Sequence, residues 1–147
     1  MQCSCNKIMK YLIVFLGSSI AGDDAAGYDV YMRIKNKTKA RIAYLGTDLF
    51  KLYGIYEGEE KLIIVDAVYG IEDVIHLKNE EIFSIDDKSE GMHFLSAIEA
   101  LKILKTVMKK FPEEIHLIGL PAKSFEKITY DEKVINKAIK ELKKLIE

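Results

Sequence analysis

Tryptophan is absent from the 147 residues and glutamine occurs once, at Gln2, while lysine, glutamate and isoleucine are abundant. That balance is the compositional lean of proteins that work hot. A charge excess of either sign is missing too. With 22 basic against 23 acidic side chains and a net charge of −1, the chain lacks the basic stripe of a nucleic-acid binder and the cationic face of a membrane-surface protein. No stretch approaches the ~18 consecutive apolar residues of a membrane span. Cysteine is confined to Cys3 and Cys5 at the extreme N-terminus, and a lone C-x-C pair makes no metal cage. Internal repeats and low-complexity tracts are lacking, which excludes a solenoid. So are a G-x-S-x-G elbow, an H-E-x-x-H helix and a catalytic-cysteine context, which sets aside the common protease machineries.

The length suits one domain with one core. Residues 1–8 are expected to form a disordered tail, and residues 9–147 a single domain. Lys7 and Lys10 ahead of the run Tyr11–Leu16 imitate a signal peptide, but the run is at the short limit for that role and suits a buried strand equally well. A cytoplasmic protein is expected.

The runs at 10–16 (KYLIVFL) and 61–66 (KLIIVD) are continuous, apolar and rich in branched residues, as in parallel strands covered on both faces. Ala26, Val30 and Ile34 recur every four residues, predicting a helix within 24–36. A strand is expected at 40–45, a short helix at 48–56, a fourth strand at 73–77 and a fifth at 114–120. The fourth follows the third too closely for a crossover helix and must run antiparallel to it. Phe94, Ile98, Leu101, Leu104, Met108 and Phe111 mark a long helix over 93–111, and Val134 to Leu145 another over 131–146. The expected fold is α/β, a three-layer α/β/α sandwich with a mixed five-stranded sheet, one strand antiparallel.

In such a sheet, ligands bind beyond the carboxyl ends of the strands. Three groups stand there in the sequence. The loop after the first strand, GSSIAGDDAAG at 17–27, frames Asp23 and Asp24 with glycines; the third strand ends on Asp66; His93 opens the long helix after a polar loop at 84–91. Asp23 reads as the N-cap of the helix that follows. Asp66, closing a buried apolar strand, must meet a partner or solvent. Two carboxylates and an imidazole suit a divalent transition metal with open coordination positions. His76 and His116 fall within strands, away from that edge, and read as structural. Tyr44, Tyr53 and Tyr56 read as ordinary packing.

Together GSSIAGDDAAG, IIVDAVYG at 63–70, GMHFLS at 91–96 and LIGLPAKSFE at 117–126 make the chain resemble the maturation endopeptidases of nickel-iron hydrogenase large subunits, over most of its length. In that family a glycine is followed six residues later by two acids and then a glycine, matched here by Gly17, Asp23, Asp24 and Gly27. The resemblance implies an aspartyl-type endopeptidase that removes the C-terminal extension of a large-subunit precursor already loaded with nickel. It implies that Asp24, Asp66 and His93 contact nickel presented by the substrate and serve as the catalytic set, and that Gly46 and Thr47, in the exit loop of the second strand, touch the substrate. No organic cofactor is implied. The sequence departs from the family pattern at Ser18, at Leu45 and in the turn that keeps only Gly70. Two alternatives stay open: a receiver-like signalling domain phosphorylated on Asp66, and an inactive assembly chaperone of the same precursor.

Overall fold

Why the two apolar runs lie at the centre of the sheet is plain from their register. A computed structural model of the protein describes residues 10–85, 93–94 and 97–146; the expected N-terminal tail and most of the polar loop lie outside the described residues. In it β1 (Tyr11–Phe15) pairs in parallel with β3 (Lys61–Tyr69), from Tyr11 opposite Lys61 to Phe15 opposite Val65. Strand β2 (Arg41–Tyr44) flanks β1, also in parallel, and β6 (Glu114–Ala122) runs parallel to β3 along its whole length. The four-residue β4 (Ile75–Lys78) closes the far edge, antiparallel to β6. The order is β2-β1-β3-β6-β4, the expected mixed five-stranded sheet.

Alternate residues of the buried strands face opposite sides, and each side has its own core. Leu12, Val14, Leu62 and Ile64 pack with α2 (Leu52–Ile55), α3 (Glu80–Phe83) and α4 (Ile98–Val107) through Leu52, Ile82, Ile98, Leu101 and Leu104. Ile13, Phe15, Ile63 and Val65 pack with α1 (Ala26–Ile34) and α5 (Glu132–Ile146) through Val30, Ile34, Ile135, Ala138 and Leu142. The result is the three-layer sandwich.

The structure departs most from the sequence reading at the far end of β3. Strand β3 runs three residues past Asp66, beyond the point where β1 stops. That overhang leaves an edge needing backbone partners, and a sixth, two-residue strand, β5 (His93–Phe94), supplies them in antiparallel pairing: Tyr69 opposite His93 and Val68 opposite Phe94. His93 therefore does not open the long helix. That helix begins at Ile98 and ends at Val107, shorter at both ends than 93–111.

Candidate active site

Strand β1 has β2 on one side and β3 on the other. The chain thus leaves β1 in one direction and returns on the opposite side, and the carboxyl ends of β1 and β3 flank a topological switch point, the place where open α/β sheets hold ligands in a crevice. Asp66 is the first residue of β3 beyond the last pair with β1. Past it, the same edge of β3 is taken up by β5, so Asp66 and Ala67 lie in the interval between the two neighbours. The Ala67 amide is satisfied there by Asp66 itself, whose Oδ1 accepts from it at 2.8 Å. The other oxygen, Oδ2, is buried and has no hydrogen-bond partner among the described residues. Burial first, and then the negative charge of Asp24, push the Asp66 carboxyl up to about 8, with the Ala67 amide opposing.

The chain treats its other buried carboxylates differently. Glu59, fully buried, receives Arg41 Nε at 2.6 Å and its neighbour Glu57's amide at 3.0 Å. Among the described buried carboxylates, Asp66 has a fully buried oxygen without a partner and a second acid nearby, against the ordinary cost of burying charge.

Asp24 reaches the crevice from the other core's side. It lies in a 3-10 turn, Gly22–Ala25, that leads into α1, and its Oδ2 accepts from the Ser18 amide at 2.9 Å. Close backbone approach makes this possible. Gly17 has φ +125°, and a Cβ there would stand 2.1 Å from the Asp24 carbonyl oxygen. The Gly17 amide donates to the Gly46 carbonyl at 2.8 Å and its carbonyl accepts from the Tyr44 hydroxyl. Gly46 is thereby placed on the crevice rim, with nothing within 4 Å of where its side chain would be, and Thr47 follows it in an exposed position. Tyr44 does more than pack: it ties β2's end to the acid loop.

Asp23 is not the N-cap. The position before the 3-10 turn is Ala21, and no side chain caps either that turn or α1. Instead Asp23, fully buried, accepts four hydrogen bonds from the loop after β6: the amides of Lys123, Ser124 and Thr129 and the Thr129 hydroxyl. Burial would raise its pKa, but those donors outweigh it and hold the carboxyl below the usual range. The adjacent acids thus have separate tasks. Asp23 clamps the loop at 123–129, against which Gly22 is pressed, and leaves Asp24 free to face the crevice. The sequence signal was present as the doubled acid, but its partners lie about a hundred residues away.

Replacing Asp23 with Ala is expected to cost a few kcal/mol, since three amides and a hydroxyl lose their acceptor at about 1 kcal/mol each, and to expose the 123–129 segment to protease. Thr129→Val removes only one donor and should cost about 1 kcal/mol. Denaturant midpoints of the two variants check the order; equal costs would show that the clamp acts through Thr129 alone.

His93 faces β3 through its backbone, opposite Tyr69; whether its imidazole joins the acids falls outside what is described. Among the described residues, no three His, Cys, Asp or Glu side chains form a group able to hold a metal ion. His76, second in β4, and His116, near the amino end of β6, are hydrogen-bonded to each other at 2.8 Å, with His116 also on Glu114 at 2.6 Å. They satisfy one another, as structural histidines do.

With this geometry in hand, known proteins supply the family. A family model described as HycI, hydrogenase maturation protease, matches residues 29–147, a span that includes Gly46, Thr47, Asp66 and His93. The chain belongs to the hydrogenase maturation protease family. It is 37% identical over 106 residues to Protein FrxA of Pyrococcus furiosus, covering 69% of this chain and 77% of that one. The HybD nickel-iron hydrogenase maturation protease of Thermococcus kodakarensis superposes with a TM-score of 0.81 at 31% identity, over 95% of this chain and all of that one. The HybD endopeptidase of E. coli shares the fold, with a TM-score of 0.71 at 22% identity, over 91% of this chain and 90% of that one. Membership makes the chain a peptidase and leaves the receiver-like alternative unsupported. Among the described residues no helix is long and apolar enough to cross a membrane.

Proposed function

We propose that the protein cuts the C-terminal extension from a hydrogenase large-subunit precursor that already carries nickel, and that the ion is the signal to cut. The observation that carries this is the unsatisfied Oδ2 of Asp66, held beside Asp24 at the switch point of a maturation-protease fold. Buried polar atoms without partners are rare and point to a ligand. Two carboxylate oxygens, with the His93 imidazole that the family pattern adds, form a donor set of oxygen and nitrogen suited to nickel.

In this reading the precursor brings the ion together with its remaining ligands. Asp24 and Asp66 dock on it, and the ion polarises the scissile carbonyl or activates water. Asp66 must shed its proton to bind, so docking and deprotonation are coupled. Gly46, whose missing side chain leaves its flank open, and Thr47 beside it line the approach of the substrate backbone.

The test is incubation of the purified protein with nickel-loaded and nickel-free precursor from a co-occurring hydrogenase, read by mass spectrometry. One cut near the C-terminus of the loaded form, with the nickel-free form intact, is expected. Equal cleavage of both would overturn the role of nickel. Binding without cleavage of either would favour the chaperone reading.

A further inference from the structure

Two buried side-chain atoms lack a hydrogen-bond partner among the described residues: Asp66 Oδ2 and the hydroxyl of Tyr69. The first belongs to the acid pair. The second is not explained by the clamp or by packing, and it lies on the same overhang of β3, three residues on.

Successive residues of a strand alternate between faces. Asp66 shares a face with Ile64 and Val68, and Tyr69 shares the other with Ile63 and Val65, the side on which α1 packs. Asp24 comes from the turn that opens α1, so Tyr69 stands on Asp24's flank of the crevice. The ring is fixed from behind by stacking on Phe125, with centroids 4.7 Å apart and planes 25° from parallel. Phe125 belongs to the loop that Asp23 clamps. Its own face is half exposed, so the stacked pair forms one wall of the crevice.

None of the described acids accepts the Tyr69 proton. Both Asp23 oxygens are taken by the loop's donors. Asp24 Oδ2 is taken by Ser18, and Asp66 points from the opposite face. A phenol is a neutral hydrogen-bond donor near neutral pH. The crevice thus carries an uncommitted oxygen ligand on one flank and an uncommitted neutral donor on the other. Peptide hydrolysis needs both: a group to manage the electrophile, and a donor for the carbonyl oxygen that becomes negative.

We propose that Tyr69 is a catalytic residue of this peptidase, whose hydroxyl donates a hydrogen bond to the scissile carbonyl oxygen and holds it as charge gathers there. The proposal rests on the endopeptidase reading of the acid pair. Water adds to the carbonyl carbon, the C–N bond breaks and a proton from water passes to the leaving amine. Tyr69 keeps its own proton throughout.

The experiment is Tyr69→Phe in the full chain, assayed with nickel-loaded precursor beside wild type. The ring and its stack on Phe125 are retained, and a hydroxyl without a protein partner is removed, so the melting temperature should be unchanged or higher. Expected is a fall in kcat of about 100- to 1,000-fold with KM unchanged, the usual effect of losing one such donor. A kcat within about threefold of wild type would overturn the proposal while leaving the peptidase reading intact. So would a raised KM at unchanged kcat, which would make Tyr69 a binding contact only. A wild-type protein that cuts no loaded precursor would sink the underlying reading and this proposal with it, a result told apart by the wild-type lane alone.

Discussion

Asp66→Asn is expected to give a metal-free protein more stable than wild type above neutral pH and unable to trim its substrate. The stability change follows from proton linkage. In the unfolded chain the carboxyl titrates near 3.8, and in the fold burial and Asp24 raise it to about 8. Between those values the folded state holds a proton that the unfolded state has released, so stability is full below about pH 4 and is lost as pH rises through about 8. Because Asp66 is only 1% exposed, solvent screens little of this, and the loss is on the order of a few kcal/mol. Asparagine does not titrate and keeps an oxygen able to accept from Ala67. The two melting curves should therefore converge near pH 4 and separate progressively to pH 9, with the variant higher. Activity moves the other way. An amide cannot offer the anionic oxygen that a cation needs, and losing a ligand of a Lewis acid removes several kcal/mol of transition-state stabilisation, a rate loss of about a thousandfold or more. A variant that melts lower than wild type at pH 8 would instead make Asp66 a structural acid with a partner.

The crevice itself was legible because the rule behind it needs only strands and their order. Apolar runs ending on Asp66 and before GSSIAGDDAAG located two carboxyl ends, and the structure places Asp24 and Asp66 at both sides of that switch point. Three details were not legible, each for a physical reason. Asp23 looked like a cap because capping is a local pattern, whereas its real donors lie in a loop about a hundred residues away that only the fold brings near. His93 looked like a helix start because Phe94 continues the helical spacing of Ile98 and Leu101. The backbone at 93–94 instead answers the unpaired overhang of β3, a tertiary demand that overrides a local period. Tyr69 was invisible because a tyrosine three places past an apolar run carries no spacing signal; its hydroxyl stands out only once its lack of a partner can be seen.

Gly17→Ala should be among the most damaging single methyls at the described glycines. The backbone there has φ +125°, which L side chains rarely adopt, and a Cβ would lie 2.1 Å from the Asp24 carbonyl oxygen and 3.4 Å from Asp24 Oδ1. Backbone oxygen cannot swing aside as a flexible side chain can, so the 3-10 turn carrying Asp24 must move or Gly17 must release its bonds to Gly46 and Tyr44. Either shift takes the second acid away from Asp66. Gly46→Ala isolates the conformational part of this cost, because Gly46 also has positive φ, +64°, but nothing within 4 Å. That control should lose about 1–2 kcal/mol, the ordinary penalty of a left-handed L residue, and fold normally. Gly17→Ala adds the clash and should lose at least twice as much, with trimming abolished even where enough folded protein remains to assay. Denaturant unfolding of the two variants, with cleavage measured on the folded fraction, gives the comparison. Equal costs, or an active Gly17→Ala enzyme, would mean that the acid loop tolerates displacement and that Asp24 is not held in place by the close passage over Gly17.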